Sequence, residues 1–169
     1  MPFVEAAGRS LGYEWIGGEA NGAPVLVFLH EGLGSIRQWR DFPARVAAAT
    51  GCRAFVYDRY GYGQSDVLEE ARRDVRFMHD DALIFLPEVR KSLGIEDCVL
   101  IGHSDGASIA LIHASEHPVA KLVLLAPHVF VEDISVAAIT EARDAFPALR
   151  DRMGRYHRDA ERKIGRAHV

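Results

Sequence analysis

The chain has 169 residues, which suits one domain with a hydrophobic core. Its hydrophobic fraction of 49% and its charged fraction of 26% are those of an ordinary soluble globular protein. The net charge of -4 and the absence of a Lys/Arg run argue against a nucleic-acid partner. No apolar run approaches the ~18 residues that a membrane span needs, so no membrane partner is expected.

The amino terminus and the cysteine content favour a cytoplasmic protein. Residues 1–10 lack the basic start and the following apolar stretch that mark a signal peptide. The two cysteines, Cys52 and Cys98, lie in strand-like stretches of the sequence. Free buried thiols are expected here, and a disulfide is the less favoured alternative.

Short apolar runs predict six strands. Residues 4–16 alternate loosely and contain two glycines, which indicates two short strands joined by a turn. The next four runs are continuous and apolar, as is typical of strands covered on both faces of a parallel sheet. These four runs are residues 24–29, 53–57, 98–101 and 121–126.

Helical patterns separate these runs. Asp41 is expected to cap a helix that carries Pro43 in its first turn. Over residues 76–93 apolar side chains recur every three or four positions, and Pro87 should bend this helix. A third helix is predicted over residues 106–116. The alternation predicts an α/β fold with a doubly wound, mostly parallel sheet, whose ligands gather at the carboxyl ends of the strands.

The sequence Gly-His-Ser-Asp-Gly at residues 102–106 joins the third of these runs to the third helix. A strand, a G-x-S-x-G motif and a helix in succession predict a nucleophile elbow with Ser104 at its tip. Gly102 and Gly106 suit this turn, because bulkier side chains there would keep the helix away from the strand. The amino end of the helix favours negative charge at the serine. The alternative is an ordinary strand-to-helix turn.

The sequence His-Glu-Gly-Leu-Gly-Ser at residues 30–35 follows the first of these runs. Its glycines are spaced so that backbone amides can turn inward, as acyl transfer requires for its oxyanion. One amide donor is expected from Asp105, the residue after the nucleophile. The other is expected from Gly32, with Leu33 as the next candidate. The alternative is a plain glycine-rich turn, since the segment matches no phosphate-binding loop.

A third loop, residues 58–65, follows the second of these runs and reads Asp-Arg-Tyr-Gly-Tyr-Gly-Gln-Ser. Its glycines permit a tight turn, so this loop is expected to shape the rim of the site. The charges of Asp58 and Arg59 are expected to be paired structurally.

Several histidines are placed near these loops. His30 is expected to brace the oxyanion loop and to line the pocket. His128 ends the strand beside the elbow and is also expected to line the pocket, with a role as surrogate base as the alternative. His103 is interpreted as packing in the elbow, and His157 is expected to be exposed to solvent.

The three loops together resemble the α/β-hydrolase superfamily, in the branch with an HG-type oxyanion loop, a D-R-x-G-x-G-x-S loop and a G-H-S-x-G elbow. These motifs fall at residues 30–34, 58–65 and 102–106, and the resemblance covers about residues 3–163. Glu31 departs from the pattern, because many members carry glycine there. The resemblance implies an eight-stranded sheet, a Ser–acid–His triad in that chain order and no cofactor. No metal site is predicted.

The resemblance also implies that part of the site is not present in this chain. In the family the acid usually follows the seventh strand and the histidine follows the eighth. About six strands are predicted here, so neither residue is assigned. Asp133 and its neighbour Glu132 are runner-up candidates for the acid, and their alternative role is helix capping.

Three segments are expected along the chain. Residues 1–130 are predicted to form the first part of the hydrolase core, and residues 131–163 the start of a helical cap. Residues 164–169 read as a translation of a common sequencing adapter, so a non-native tail and a truncated gene are expected.

The function implied is that of a serine hydrolase that cleaves an ester or related acyl bond of a small molecule through an acyl-enzyme. Within the same fold, the alternatives are a C–C bond hydrolase, an aminopeptidase acting on small peptides and a cofactor-free haloperoxidase. A non-catalytic fragment or scaffold is the other class of alternative, because a serine without its base is a poor nucleophile.

Overall fold

The computed structural model describes residues 1–18, 22–69, 73–145 and 153–158. The strands are β1 (Phe3–Ala6), β2 (Arg9–Ile16), β3 (Val25–Leu29), β4 (Ala54–Tyr57), β5 (Cys98–His103) and β6 (Lys121–Leu125). The helices are α1 (Phe42–Thr50), α2 (Phe77–Asp80), α3 (Leu86–Ser92), α4 (Asp105–Glu116) and α5 (Asp133–Asp144). A short 3-10 helix (Ile36–Trp39) precedes α1, and a π-helical turn (Asp81–Phe85) joins α2 to α3.

All six strands belong to one sheet in the order β1-β2-β4-β3-β5-β6. β1 and β2 form an antiparallel hairpin, and β2 also runs antiparallel to β4. The remaining neighbours, β4 with β3, β3 with β5 and β5 with β6, are parallel. The prediction of a mostly parallel α/β sheet with six strands is therefore confirmed.

Helices cover both faces of this sheet, and each face has its own apolar core. On one side the core includes Phe28, Val56 and Ala47 of α1. On the other side the buried side chains come from the β-strands and from the π turn, α3 and α4. Each fully buried large side chain contributes about 1.5–3 kcal/mol, so these two layers hold the strand ends in place.

The outer strand β6 is covered on one face only, which corrects the expectation of burial on both faces. Leu122 and Leu124 pack against the core, whereas Val123 and Leu125 are exposed. The apolar run predicts a buried strand because the sequence pattern does not reveal which strand lies at the edge of the sheet.

The start of α1 also differs from the expectation. Asp41 makes no side-chain hydrogen bond to the helix, because its backbone already has near-helical angles (φ -87°, ψ -4°). An N-cap residue normally has an extended backbone that lets its side chain turn back to the first amides. Pro43 lies in the first turn, as the sequence predicts, and Gly51 with φ +69° ends the helix.

The predicted helix over residues 76–93 contains a wider turn rather than a simple bend. The π-helical turn Asp81–Phe85 ends two residues before Pro87. Proline lacks an N–H group and its ring crowds the preceding turn, so a wider turn relieves the clash. Asp81 of this turn is buried and points toward the loop of residues 58–65, where it pairs with Arg59.

A segment near the end of the described chain packs back onto the loops. Met153 and His157 are buried, so the expectation that His157 is exposed is wrong. Nδ1 of His157 accepts a hydrogen bond from the Gly63 N–H (3.0 Å), and Nε2 donates to the Leu33 carbonyl (3.2 Å). The assignment of residues 131–163 to a cap remains a prediction, and the predicted tail 164–169 lies outside the described residues.

Cys52 and Cys98 are free thiols, as the sequence predicts, but only Cys98 is buried and Cys52 is half-buried. Among the described residues, no helix has both the length and the apolar character to cross a membrane. The same part of the chain contains no cluster of three or more His, Cys, Asp or Glu side chains that could hold a metal ion.

Candidate active site

Ser104 stands at a strained turn between β5 and α4. Its backbone has φ +53° and ψ -118°, in a region that L-residues rarely adopt. Gly102 and Gly106 make this geometry possible. A Cβ on Gly102 would lie 2.3 Å from the carbonyl oxygen of Gly106, and one on Gly106 would lie 2.0 Å from that of Leu29. The packing therefore requires glycine at both positions, as the sequence predicts.

The first turn of α4 leaves amides free beside the serine. The N–H groups of Ala107 and Ser108 donate to the carbonyl of Ser104. The Asp105 N–H has no acceptor among the residues that the structure describes, as is normal for the first residue of a helix. A donor is thus available directly after Ser104.

The loop of residues 30–35 is fixed from below by His30, which is fully buried. Nδ1 of His30 donates to the Glu31 carbonyl (2.7 Å), and Nε2 accepts from the Arg59 N–H (3.1 Å). Burial lowers the pKa of His30 well below its usual value, and the charge of Arg59 adds to this effect. His30 is therefore a neutral brace under the loop, with no ring nitrogen left for another role.

The Glu31 carbonyl accepts three hydrogen bonds, from His30 Nδ1, from the Gly34 N–H (3.0 Å) and from Nη2 of Arg59 (3.1 Å). A trans peptide is planar, so the N–H of Gly32 points opposite to this carbonyl. Within the described chain the Gly32 N–H donates to no group. Three interactions thus turn the carbonyl inward and leave the amide of Gly32 free.

Gly32 and Asp105 lie side by side. A Cβ placed on Gly32 would come within 2.7 Å of Oδ2 of Asp105. The structure therefore brings together the two residues that the sequence predicts as oxyanion donors. Leu33, the next candidate, is the residue whose carbonyl accepts from His157.

His128 reaches the serine from the end of β6. Its Nε2 lies 3.1 Å from Oγ of Ser104, within hydrogen-bond distance. Both side chains are open to solvent on one side. The sequence predicts His128 as a pocket-lining residue, and the structure places it at the hydroxyl itself.

Ser108, one turn into α4, holds the backbone of His128. Its hydroxyl donates to the His128 carbonyl (2.8 Å) and accepts from the His128 N–H (2.9 Å). The two bonds fix the residue that carries the imidazole. Sequence analysis missed Ser108, although its position four residues after Ser104 places it on the same face of the helix.

Other histidines do not meet the serine. His113 is buried in α4, where Nδ1 donates to the Ala82 carbonyl (2.7 Å) and Nε2 faces Arg90 (2.8 Å). His103, next to Ser104, points Nδ1 at the Glu31 carboxylate, 3.5 Å away. Their ring nitrogens are engaged elsewhere.

Asp58 and Arg59 are engaged structurally, but not with each other. Asp58 accepts from the N–H groups of Ile36 (2.7 Å) and Gln64 (2.8 Å). Arg59 is fully buried and pairs with Asp81 (2.7 Å). Neighbours in an extended chain point in opposite directions, so they reach different partners.

An apolar cleft of about 400 Å³ adjoins the pair Ser108 and His128. It lies between α2, α4 and the segment after β6. Its lining residues are Val75, Phe77, Met78, His79, Ser108, Leu111, Ile112, His128 and Val129.

Asp133 and Glu132, the runner-up candidates for the acid, are both exposed at the start of α5. Glu132 accepts a hydrogen bond from Ser135, and its carbonyl accepts from the Val136 N–H, as at the start of a helix. Within the described chain no carboxylate hydrogen-bonds to His128. These are contacts of a helix start, and the choice between acid and cap for Asp133 and Glu132 stays a prediction.

Comparison with known proteins shows to which family the chain belongs. The model of a family described as "Alpha/beta hydrolase family" matches residues 26–167. Over 117 residues, covering 68% of this chain, the sequence is 32% identical to the sn-1-specific diacylglycerol lipase ABHD11 of Mus musculus. Over 100 residues, 59% of this chain, it is 29% identical to a proline iminopeptidase of Lactobacillus delbrueckii subsp. lactis.

Solved structures share the fold. A carboxylesterase structure from the thaumarchaeon Nitrososphaera gargenis superposes with a TM-score of 0.72 at 22% identity, covering 89% of this chain and 57% of that one. The carboxylesterase CesB of Bacillus subtilis superposes with a TM-score of 0.64 at 23% identity, covering 83% and 48%. The present chain spans only 36% and 34% of the two curated relatives above.

Proposed function

Since the chain belongs to the alpha/beta hydrolase family, we propose that its site hydrolyses an acyl bond of a small molecule with Ser104 as nucleophile. The observation that carries this proposal is the contact between Oγ of Ser104 and Nε2 of His128 (3.1 Å) at a strained elbow. An adjacent imidazole is what a serine hydroxyl needs to become a nucleophile.

The proposed reaction has two halves. Oγ of Ser104 attacks the acyl carbon while its proton passes to a base. The bond to the leaving group then breaks, the leaving group takes that proton, and an acyl-enzyme remains. Water repeats the sequence and releases the acid. We propose His128 as the proton acceptor because its ring lies at the hydroxyl, whereas the family resemblance implies a histidine that follows an eighth strand.

The negative charge of the tetrahedral intermediate needs preorganised donors. The N–H groups of Gly32 and Asp105 have no acceptor within the described chain, and their residues adjoin each other. We assign them as the oxyanion donors. Removal of one such donor typically costs about 3 kcal/mol in the transition state.

The cleft beside His128 indicates the class of acyl group. Six of its lining side chains are apolar: Val75, Phe77, Met78, Leu111, Ile112 and Val129. Apolar surface of this kind gains free energy when it covers hydrocarbon. We therefore favour esters of an apolar acid over prolyl peptides as substrates.

The first experiment treats the 169-residue chain with an alkyl fluorophosphonate and follows its intact mass. We expect one phosphonyl adduct, mapped to Ser104 by peptide sequencing. The S104A variant should stay unlabelled, and S115A, altered at an exposed serine of α4, should label like the wild type. No adduct, or an adduct elsewhere, would favour the non-catalytic scaffold.

The same assay tests the proton acceptor. In H128Q the labelling rate should fall by about 100-fold, the usual contribution of a positioned general base. H117Q, altered at the far end of α4, should label at the wild-type rate. An unchanged rate in H128Q would assign the base to another group while leaving Ser104 as nucleophile.

A further inference from the structure

Among the residues that the structure describes, Arg59 is the largest fully buried side chain, yet it carries a charge. A buried guanidinium is strongly unfavourable unless it is paired and hydrogen-bonded. Asp81 supplies one partner at 2.7 Å, and Asp105 supplies a second carboxylate at 3.7 Å. This pairing lets the group remain in the interior, directly under the oxyanion loop.

The second nitrogen of the guanidinium acts on the loop. Nη2 donates to the Glu31 carbonyl at 3.1 Å while Nη1 is held by Asp81. The guanidinium is planar and rigid, so fixing one nitrogen fixes the direction of the other. The carbonyl of Glu31 is thereby held on the inner side of the loop.

From this geometry we infer that Arg59 is a positioning residue for the oxyanion hole, because it sets the peptide plane that aims the Gly32 N–H. The inference rests on the proposed function, in which that amide binds the oxyanion. Arg59 is fully buried and makes no hydrogen bond to Ser104, so its effect passes through the loop.

Arg59 also connects to the second donor. Oδ2 of Asp105 is buried and has no hydrogen-bond partner in the described chain, so the charge of Arg59 at 3.7 Å is what offsets its burial. Asp105 carries the other proposed amide donor. One guanidinium therefore links both halves of the oxyanion site, and Asp81 anchors it from the π turn.

The side chain and the backbone of Arg59 can be separated by mutation. The backbone N–H bonds to Nε2 of His30, a contact that any residue except proline keeps. R59K keeps a positive charge but replaces the rigid fork with a single ammonium, which cannot reproduce both directed bonds. The variant thus tests whether the direction of the hydrogen bond to the Glu31 carbonyl matters, because the positive charge is kept.

The first readout is the rate of fluorophosphonate labelling, measured on folded protein. In R59K we expect a fall of about 100-fold, as for loss of an oxyanion donor. The matched control is L86A, which removes a fully buried apolar side chain next to the π turn that makes no hydrogen bond to the loop. With an ester substrate, R59K should lower kcat and leave KM unchanged.

The second readout needs no activity. In a sample labelled with ¹⁵N-glycine, the amide signal of Gly32 should shift clearly in R59K and stay in place in L86A. D81N, which weakens the anchor of Arg59, should shift the same signal in the same direction.

Two results would overturn the inference. One is an unmoved Gly32 signal in R59K, and the other is an equal loss of labelling rate in R59K and L86A. A wild-type chain that does not label would refute the proposed function alone, since the glycine signal still tests whether Arg59 aims the amide.

Discussion

At the scale of single residues, the buried histidines His30 and His113 are held neutral by the donors around them. His113 accepts from Arg90, which is always charged, and so cannot carry a second proton on Nε2. His30 accepts from the Arg59 backbone N–H in the same way. Protonation of either ring would place two donors face to face, so acid should break the contacts.

The pH dependence of stability follows from His113. Burial lowers its pKa to about 4, and the charge of Arg90 contributes to the shift. The unfolded chain binds the proton at its ordinary pKa near 6.5, so stability is complete above that value. Between pH 7 and pH 4 the free energy of unfolding should fall by about 3 kcal/mol from this residue.

Urea unfolding at pH 7, 5 and 4 measures the effect. In H113N the amide can still donate to the Ala82 carbonyl but does not titrate, so the slope with pH should be shallower. A wild-type stability that is flat or rising toward pH 4 would contradict this account.

The sequence predicts which residues come together at the candidate site, but it does not predict their hydrogen-bond and ion-pair partners. Ser104, Gly32 and Asp105 follow from motifs, because local backbone chemistry needs those residue types at that spacing. Ser108 and Asp81 carry no local signal, since a contact across the fold leaves no trace in spacing along the chain. Asp58 and Arg59 show this: Asp58 bonds to the Ile36 and Gln64 amides and Arg59 pairs with Asp81, and the spacing along the sequence predicts none of these contacts.

At the scale of elements, the start of α4 packs tightly against β5 and against the carboxyl end of β3. Gly106 leaves no room for a methyl group beside the backbone of Leu29. Ordinarily a glycine-to-alanine change stabilises a helix by about 0.5–1 kcal/mol. Here the helix would have to move away from the sheet.

We therefore expect G106A to destabilise the chain by about 1–3 kcal/mol or more, the usual cost of overpacking. G18A is the matched control, because a Cβ there meets nothing within 4 Å. Thermal unfolding of both variants is the measurement. If the thermal midpoint of G106A is at or above that of the wild type, α4 can move away from the sheet at this turn without loss of stability.

Element types were predictable because apolar periodicity encodes which face is buried. The π turn was not, since one extra residue in a helical turn barely disturbs a pattern of 3.6. The one-sided exposure of β6 was not predictable either, because its run of apolar residues equals that of an interior strand.

At the scale of the whole molecule, β6 is an edge of the sheet with exposed apolar side chains. Val123 is 42% exposed and Leu125 38% exposed, and Phe130 beyond them is 68% exposed. Unpaired backbone groups next to apolar side chains invite association with other chains.

The chain should therefore self-associate as its concentration rises, and V123K should reduce the effect by placing a charge on the edge. Size-exclusion chromatography with light scattering reports the mass over a dilution series. A wild-type chain that is monodisperse at every concentration would contradict the expectation.

The overall topology could be predicted because the three loop motifs each follow an apolar run. Their order along the chain matches that of a mostly parallel α/β sheet. The return of residues 153–158 to the loops could not. His157 meets Gly63 across 94 residues of sequence, and nothing in its polar surroundings distinguishes it from a solvated side chain.

The buried charge of Arg59 ties together stretches of chain at residues 31, 59, 81 and 105. An unpaired guanidinium is strongly unfavourable in the protein interior, so we expect these four stretches to fold cooperatively. A substitution at one of these positions should then be tolerated only when a second substitution at another restores the pairing. Among sequences related to this one, the four positions should therefore covary.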